Sequence, residues 1–186
     1  LLIVEKQLPE VKEIQPEIVR DSRGFLFETY HELHFAEIGI TEKFVQDNQS
    51  RSVKGTLRGL HYQLRHAQAK ICSVMDGEAL DIAVDIRVGS PRFGKWTSTI
   101  LSSKKQNQIY IPAGFAHGFL ALTEPVQFAY KCSAYYDPKD SYGVLWKDPD
   151  LAIPWGIAAP ILSENDMRQP PLAAIPRELL PRYTKR

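Results

Sequence analysis

Between Leu80 and Ile86 every second residue is large and apolar: Leu80, Ile82, Val84 and Ile86 alternate with Asp81, Ala83 and Asp85. A period of two predicts a strand with one apolar face and one polar or small face. The pattern recurs at Val126–Cys132, where Val126, Phe128 and Tyr130 share one side and Gln127, Ala129 and Lys131 the other. Further extended segments are expected at Gly24–Tyr30, Phe44–Ser50, Gln108–Ile111 and Gly118–Leu122. Turn signals such as Pro112-Ala-Gly114 and Thr123-Glu-Pro125 separate the later ones. Lys70–Met75 and Glu78–Arg87, joined by Asp76-Gly77, are predicted to form a β-hairpin, because Asp-Gly is a favoured tight-turn pair. The best helix candidate in the first half is His31–Ile38, ended by Gly39.

Many short strands between Gly/Pro turns predict an all-β sandwich or a double-sheet barrel such as a jelly roll. The last 40 residues hold 7 of the 13 prolines, so short helices and an arm lying over the barrel are expected there. The length of 186 residues, 44% of them hydrophobic, fits a single domain (1–186) that builds a core without metal or disulfide staples. A formal net charge of +1 argues against broad nucleic-acid binding and leaves a small anionic ligand open. Cys72 and Cys132 form neither a metal pattern nor a disulfide framework, which suits a reducing cytoplasm. The opening LLIVEKQLPE lacks the basic and apolar regions of a signal peptide. The longest run without a charged side chain, Gln106–Thr123, reads as strand, turn and strand and not as a membrane span.

Candidate chemistry lies on the polar faces. If Thr56–Gln63 is extended, Leu57, Gly59, His61 and Gln63 lie on one side and Arg58, Leu60 and Tyr62 on the other. A bend at Gly55 or Gly59 would turn Arg58 inward as well. Taken alone, this segment is read more simply as a half-buried strand with a hydrogen-bonded histidine than as a catalytic one. The pattern Pro112-x-Gly114-x-x-His117 resembles the second half of the metal-binding motif of cupins, which are jelly-roll proteins. The first half needs closely spaced histidines, and the five here (31, 34, 61, 66 and 117) include no His-x-His. A cupin-like barrel without metal is therefore expected, with His31 and His34 at exposed helix positions. Tyr130 and the pair Tyr135-Tyr136 read as aromatic core and turn, the reading kept for Tyr135, while a pair of tyrosines beside a turn could also supply a phenolic proton donor and a ring for stacking a flat base. Arg23, Arg51, Arg58 and Lys70 are scattered cations unless the fold gathers them around an anion.

Eight segments together resemble the dTDP-4-dehydrorhamnose 3,5-epimerase (RmlC) family: DSRGFLFE (21–28), FVQDNQS (44–50), GTLRGLHYQ (55–63), QAKICSVMDGEALDIAVDIR (68–87), GSPRFGKW (89–96), IPAGFAHGF (111–119), YKCSAYYDP (130–138) and WKDPDLAIPW (146–155). They cover nearly the whole chain, in the family's order and at its spacing. The resemblance implies a cupin-type double-stranded β-helix, a homodimer with closely packed or exchanged arms, and no metal or other cofactor. It also implies inversion of dTDP-4-dehydro-6-deoxy-D-glucose at C3 and C5. The family's base falls on His61, its orienting aspartate on Asp166, and its proton donor on Tyr130. Substrate contacts fall on Arg23, Glu28, Gln46, Asn48, Arg58, Lys70 and His117, and the aromatic that stacks on thymine falls on Tyr136. The chain departs from the family's pattern at Ser141, commonly glutamate, at Asn165, in many members lysine, and at Leu26, often aromatic.

Overall fold

The computed structural model describes residues 1–184. Its strands are β1 (Leu2–Glu5), β2 (Lys12–Gln15), β3 (Val19–Asp21), β4 (Gly24–Leu26), β5 (Gln46–Ser52), β6 (Leu57–Gln63), β7 (Lys70–Asp76), β8 (Glu78–Asp85), β9 (Trp96–Ser102), β10 (Gln108–Ile111), β11 (Phe115–Ala121), β12 (Val126–Cys132) and β13 (Ser141–Gly143). Two short α-helices, α1 (Glu32–Glu37) and α2 (Glu164–Met167), and single 3₁₀ turns complete the described residues. Six strands form one sheet in the order β1-β2-β10-β7-β12-β5, and five form a second in the order β13-β6-β11-β8-β9. β3 and β4 make a separate ribbon. The two sheets face each other as a cupin-like jelly roll. Among the described residues no helix is long and apolar enough to cross a membrane.

The alternation read in the sequence sets which side of each strand is buried. Val126 and Phe128 of β12, with Cys72, Val74, Ile109 and Ile111, meet Ala79, Ala83, Leu101, Phe115 and Phe119 across the barrel interior. The rings of Phe119 and Phe128 stack there at 4.0 Å. Burying one such aromatic fully stabilises the fold by roughly 1.5–3 kcal/mol. The other face of β8, Ile82 and Val84, packs with Leu60, Tyr62 and Leu120 under a cover of Leu151, Trp155, Leu172, Ile175 and Leu180. The proline-rich segment is thus laid over the outside of the second sheet. Its indole Trp155 Nε1 donates to the carbonyl of Trp146 at 2.7 Å. On the far side, Phe35 of α1 and Ile40 cover Ile14, Ile71 and Tyr110.

One expectation is corrected. Lys70–Met75 and Glu78–Arg87 are not a hairpin: β7 lies between β10 and β12 in the first sheet, and β8 between β11 and β9 in the second. Asp76-Gly77 carries the chain from one sheet to the other. Gly77 adopts φ +84°, and a side chain there would collide with Thr123 and Pro125 of the neighbouring corner. β12 and β10 take the places on either side of β7 that a returning strand would need. The alternation of β8 survives the correction because it depends on the two environments of the strand and not on its partner.

Candidate active site

One end of the barrel interior opens into a cleft of about 680 Å³. One wall is β5, whose Gln46, Asn48, Ser50 and Ser52 point inward while Asp47, Gln49 and Arg51 are exposed. This is a stripe of polar groups at the period of a strand. Gln46 Nε2 donates to Asn48 Oδ1 at 3.0 Å. Gln46 Oε1 in turn accepts the Tyr136 amide at 2.8 Å, placing Tyr136 at the rim.

The opposite wall is β6, and a bulge decides what it presents. His61 lies across from His117 on β11, whereas Arg58 lies across from Phe119, so two residues of β6 face one of β11. The extra residue resets the alternation. Arg58 and His61 both reach the cleft, while Leu57, Leu60 and Tyr62 enter the outer apolar layer. The sequence-based assignment of Leu57 to the side of His61 is therefore wrong, and the inward turn of Arg58 at Gly59 is present. Gly59 adopts φ +131°, and a Cβ there would sit 2.5 Å from Gly118 Cα, so the two backbones touch where only glycine fits.

His61 Nε2 and Asp166 Oδ1 are 2.5 Å apart although 105 residues separate them in the chain. The Asp166 side chain is 4% exposed and that of His61 37%, so the imidazole is held from behind and open in front. Asp166 is placed by α2: Ser163 caps this helix, its Oγ accepting the Asp166 amide at 3.1 Å. On the first sheet, Tyr130 faces the same cleft. Burial pushes its phenol up to about 12, helped by the Cys132 and Cys72 thiols against the pull of Arg58. Tyr130 is therefore a protonated donor near neutral pH. Lys70 Nζ lies 5.8 Å from the centre of the Tyr130 ring. His117 is buried, with Nε2 bonded to Asp81 Oδ2 at 2.8 Å and 3.9 Å from Cys72 Sγ.

Cys72, Asp81 and His117 converge closely enough to hold an ion. Burial, reinforced by the charge of Asp81, pushes the Cys72 thiol well above its ordinary range, and Asp81 already occupies the His117 nitrogen. Glu28, His31 and His34 form an exposed grouping away from the cleft, in which His34 Nδ1 is bonded to Glu28 Oε1 at 2.7 Å.

The cleft brings together His61, Tyr130, Asp166, Asn48, Arg58, Lys70 and His117, with Gln46 adjoining Asn48 and Tyr136 adjoining Gln46. It does not include Arg23 or Glu28. Arg23 stands exposed in the β3–β4 turn, paired with Asp21 at 2.6 Å, and Glu28 lines a separate surface cleft. Of the departures, Asn165 lines the cleft and accepts a hydrogen bond from Gln169, whereas Ser141, on β13, pairs with Gln63 of β6. Sequence reasoning missed Asp81, Ser50 and Ser52. Asp81 had a signal: it is a carboxylate on the inner face of an alternating strand.

The family model described as dTDP-4-dehydrorhamnose 3,5-epimerase matches residues 5–174. A dTDP-4-dehydrorhamnose 3,5-epimerase of Pseudomonas aeruginosa is 47% identical over 161 residues, which cover 86% of this chain and 89% of the relative. One of Neisseria gonorrhoeae is 45% identical over 166 residues, 89% of this chain, and here the chain spans only 51% of the relative's length. Among solved structures, dTDP-6-deoxy-D-glucose-3,5-epimerase RmlC of Legionella pneumophila in complex with dTDP-4-keto-L-rhamnose is 48% identical, with a TM-score of 0.96 and 99% of both chains covered.

Proposed function

The chain belongs to the dTDP-4-dehydrorhamnose 3,5-epimerase family, and from that membership we infer that it is an isomerase inverting C3 and C5 of dTDP-4-dehydro-6-deoxy-D-glucose. The observation that carries the mechanism is the opposition of two groups across one cleft. His61, backed by Asp166, stands on the second sheet, and protonated Tyr130 stands on the first. A hydrogen on carbon next to a ketone is acidic because the enolate places charge on oxygen. His61 takes that proton, and Asp166 steadies the imidazolium that forms. Lys70, with Arg58 near, stabilises the enolate oxygen, a contribution of roughly 3 kcal/mol for one preorganised donor. Tyr130 returns a proton to the carbon from the other face, so the centre inverts. The resulting phenolate and imidazolium exchange protons with water before the next cycle. No electron leaves the sugar, so the scheme needs no redox cofactor, and Lys70 supplies the positive charge at the enolate oxygen.

In this reading Arg58 also meets the diphosphate, His117 the sugar, and Asn48, Gln46 and Tyr136 the thymidine. The whole chain acts as one domain within a homodimer, and Arg23 and Glu28 serve the cleft of a second copy. The support is that the N-terminal strands and the β3–β4 ribbon expose Leu2, Val4, Val19, Phe25 and Leu26, an apolar surface of the kind that partners cover. Two free, buried thiols suit a cytoplasmic setting. Incubation with the 4-keto sugar nucleotide in deuterated water is expected to place deuterium at C3 and C5. Label at neither carbon sinks the enzyme reading, and label at one only makes the chain a mono-epimerase. Tyr130→Phe should retain exchange and lose inversion.

A further inference from the structure

The barrel carries a second histidine–carboxylate pair that the mechanism above does not use. Asp81 lies on β8 between Ala79 and Ala83, wholly buried, with its Oδ2 on His117 and its Oδ1 without a partner among the described residues. A buried carboxylate oxygen without a partner costs stability, and a small apolar side chain would suit this stretch of strand better. The titratable groups facing His117 are Asp81 from β8, Cys72 and Lys70 from β7 and His61 from β6. Burial lowers the pKa of His117, Lys70 and His61 add to the lowering, and Asp81 opposes it without cancelling it. The imidazole is therefore neutral at neutral pH.

We propose that Asp81 is a positioning residue: it accepts a hydrogen bond from Nε2–H of His117 and so leaves Nδ1 as the lone pair that a sugar hydroxyl meets. A carboxylate accepts and does not donate, so a neutral ring facing it through Nε2 must carry its proton there. The arrangement repeats that of His61, which faces Asp166 through the same nitrogen from the paired position on the neighbouring strand. The two rings differ in access, and that divides their work. His61 is open enough to take up and release a proton, whereas His117 is enclosed and serves as a fixed acceptor. The catalytic part of this proposal rests on the epimerase reading; the tautomer does not.

Nitrogen NMR of the ligand-free protein tests the tautomer. At neutral pH His117 should carry its proton on Nε2, and in Asp81→Asn, where the amide can donate, the population should shift to Nδ1. A wild-type His117 that is charged, or protonated on Nδ1, overturns the proposal even if the variant fails to fold. Turnover tests the role through a cycle of Asp81→Asn, His117→Asn and the double variant. Each single change should lower kcat/KM at least tenfold, and the double variant should be no worse than His117→Asn alone. Additive losses would show that Asp81 acts on the fold and not through His117, and would sink the assignment. Absence of turnover in the wild type would sink the epimerase reading and leave the NMR result to decide the tautomer.

Discussion

Two parts of the molecule build the cleft, and they are held very differently. His61, Lys70, His117 and Tyr130 stand on strands inside the two sheets, each fixed by ladders on both sides. Asp166 stands on the four-residue helix α2, whose N-terminal cap is a single serine, in an arm that otherwise runs over the outside of the second sheet. In the proposed mechanism the groups that exchange protons with the sugar are mounted on the sheets, and the group that tunes the base is mounted on the arm. Small displacements at the reacting atoms are costly. A carboxylate that only steadies a ring tolerates a looser mount.

Substitutions break or sharpen this contrast in a graded way. His61→Ala removes a sheet-mounted proton acceptor, and turnover should fall by roughly 10³-fold or more, measured by conversion of the 4-keto sugar nucleotide; a loss below tenfold would mean that the base lies elsewhere. Phe128→Ala empties the interior behind the cleft, where the ring is fully buried against Phe119. It should cost about 3–5 kcal/mol in urea unfolding. Asp166→Asn leaves the shape of the arm and removes the charge behind His61. Turnover should drop by about 10²-fold while the melting temperature stays nearly unchanged; equal damage to both would show that the arm is as structural as the sheets. Ser163→Ala removes the cap of α2 for about 1 kcal/mol. Its effect should appear as faster amide exchange in the arm, with the sheets unaffected.

The same contrast explains what was legible in the sequence. Val126–Cys132 is one uninterrupted alternating segment, and it is a strand over the same residues. Periodicity reports the two environments a strand touches, which is local information. Partners are not local. Asp76-Gly77 has the composition of a hairpin turn, yet the Thr123–Pro125 corner packed on Gly77 sends the chain into the other sheet. The phase of Thr56–Gln63 fails for a similar reason: the bulge depends on Gly59 meeting Gly118, which lies far away in the chain. Seven of the site positions implied by the family resemblance share the cleft because that resemblance covers the strands that build it. Arg23 and Glu28 stand apart because their segment, the β3–β4 ribbon and the loop that follows it, lies outside both sheets. Asp81 was visible only as one polar position on a strand face, and nothing along the chain ties it to His117.

The separation of His61 from Asp166 by 105 residues has a consequence for biosynthesis. The strands from β5 to β12 can pair while the ribosome is still adding the segment that carries Ser163 and Asp166. A chain nicked ahead of that segment would lack the carboxylate behind His61. In the proposed mechanism, full competence therefore requires the arm to be docked against the second sheet.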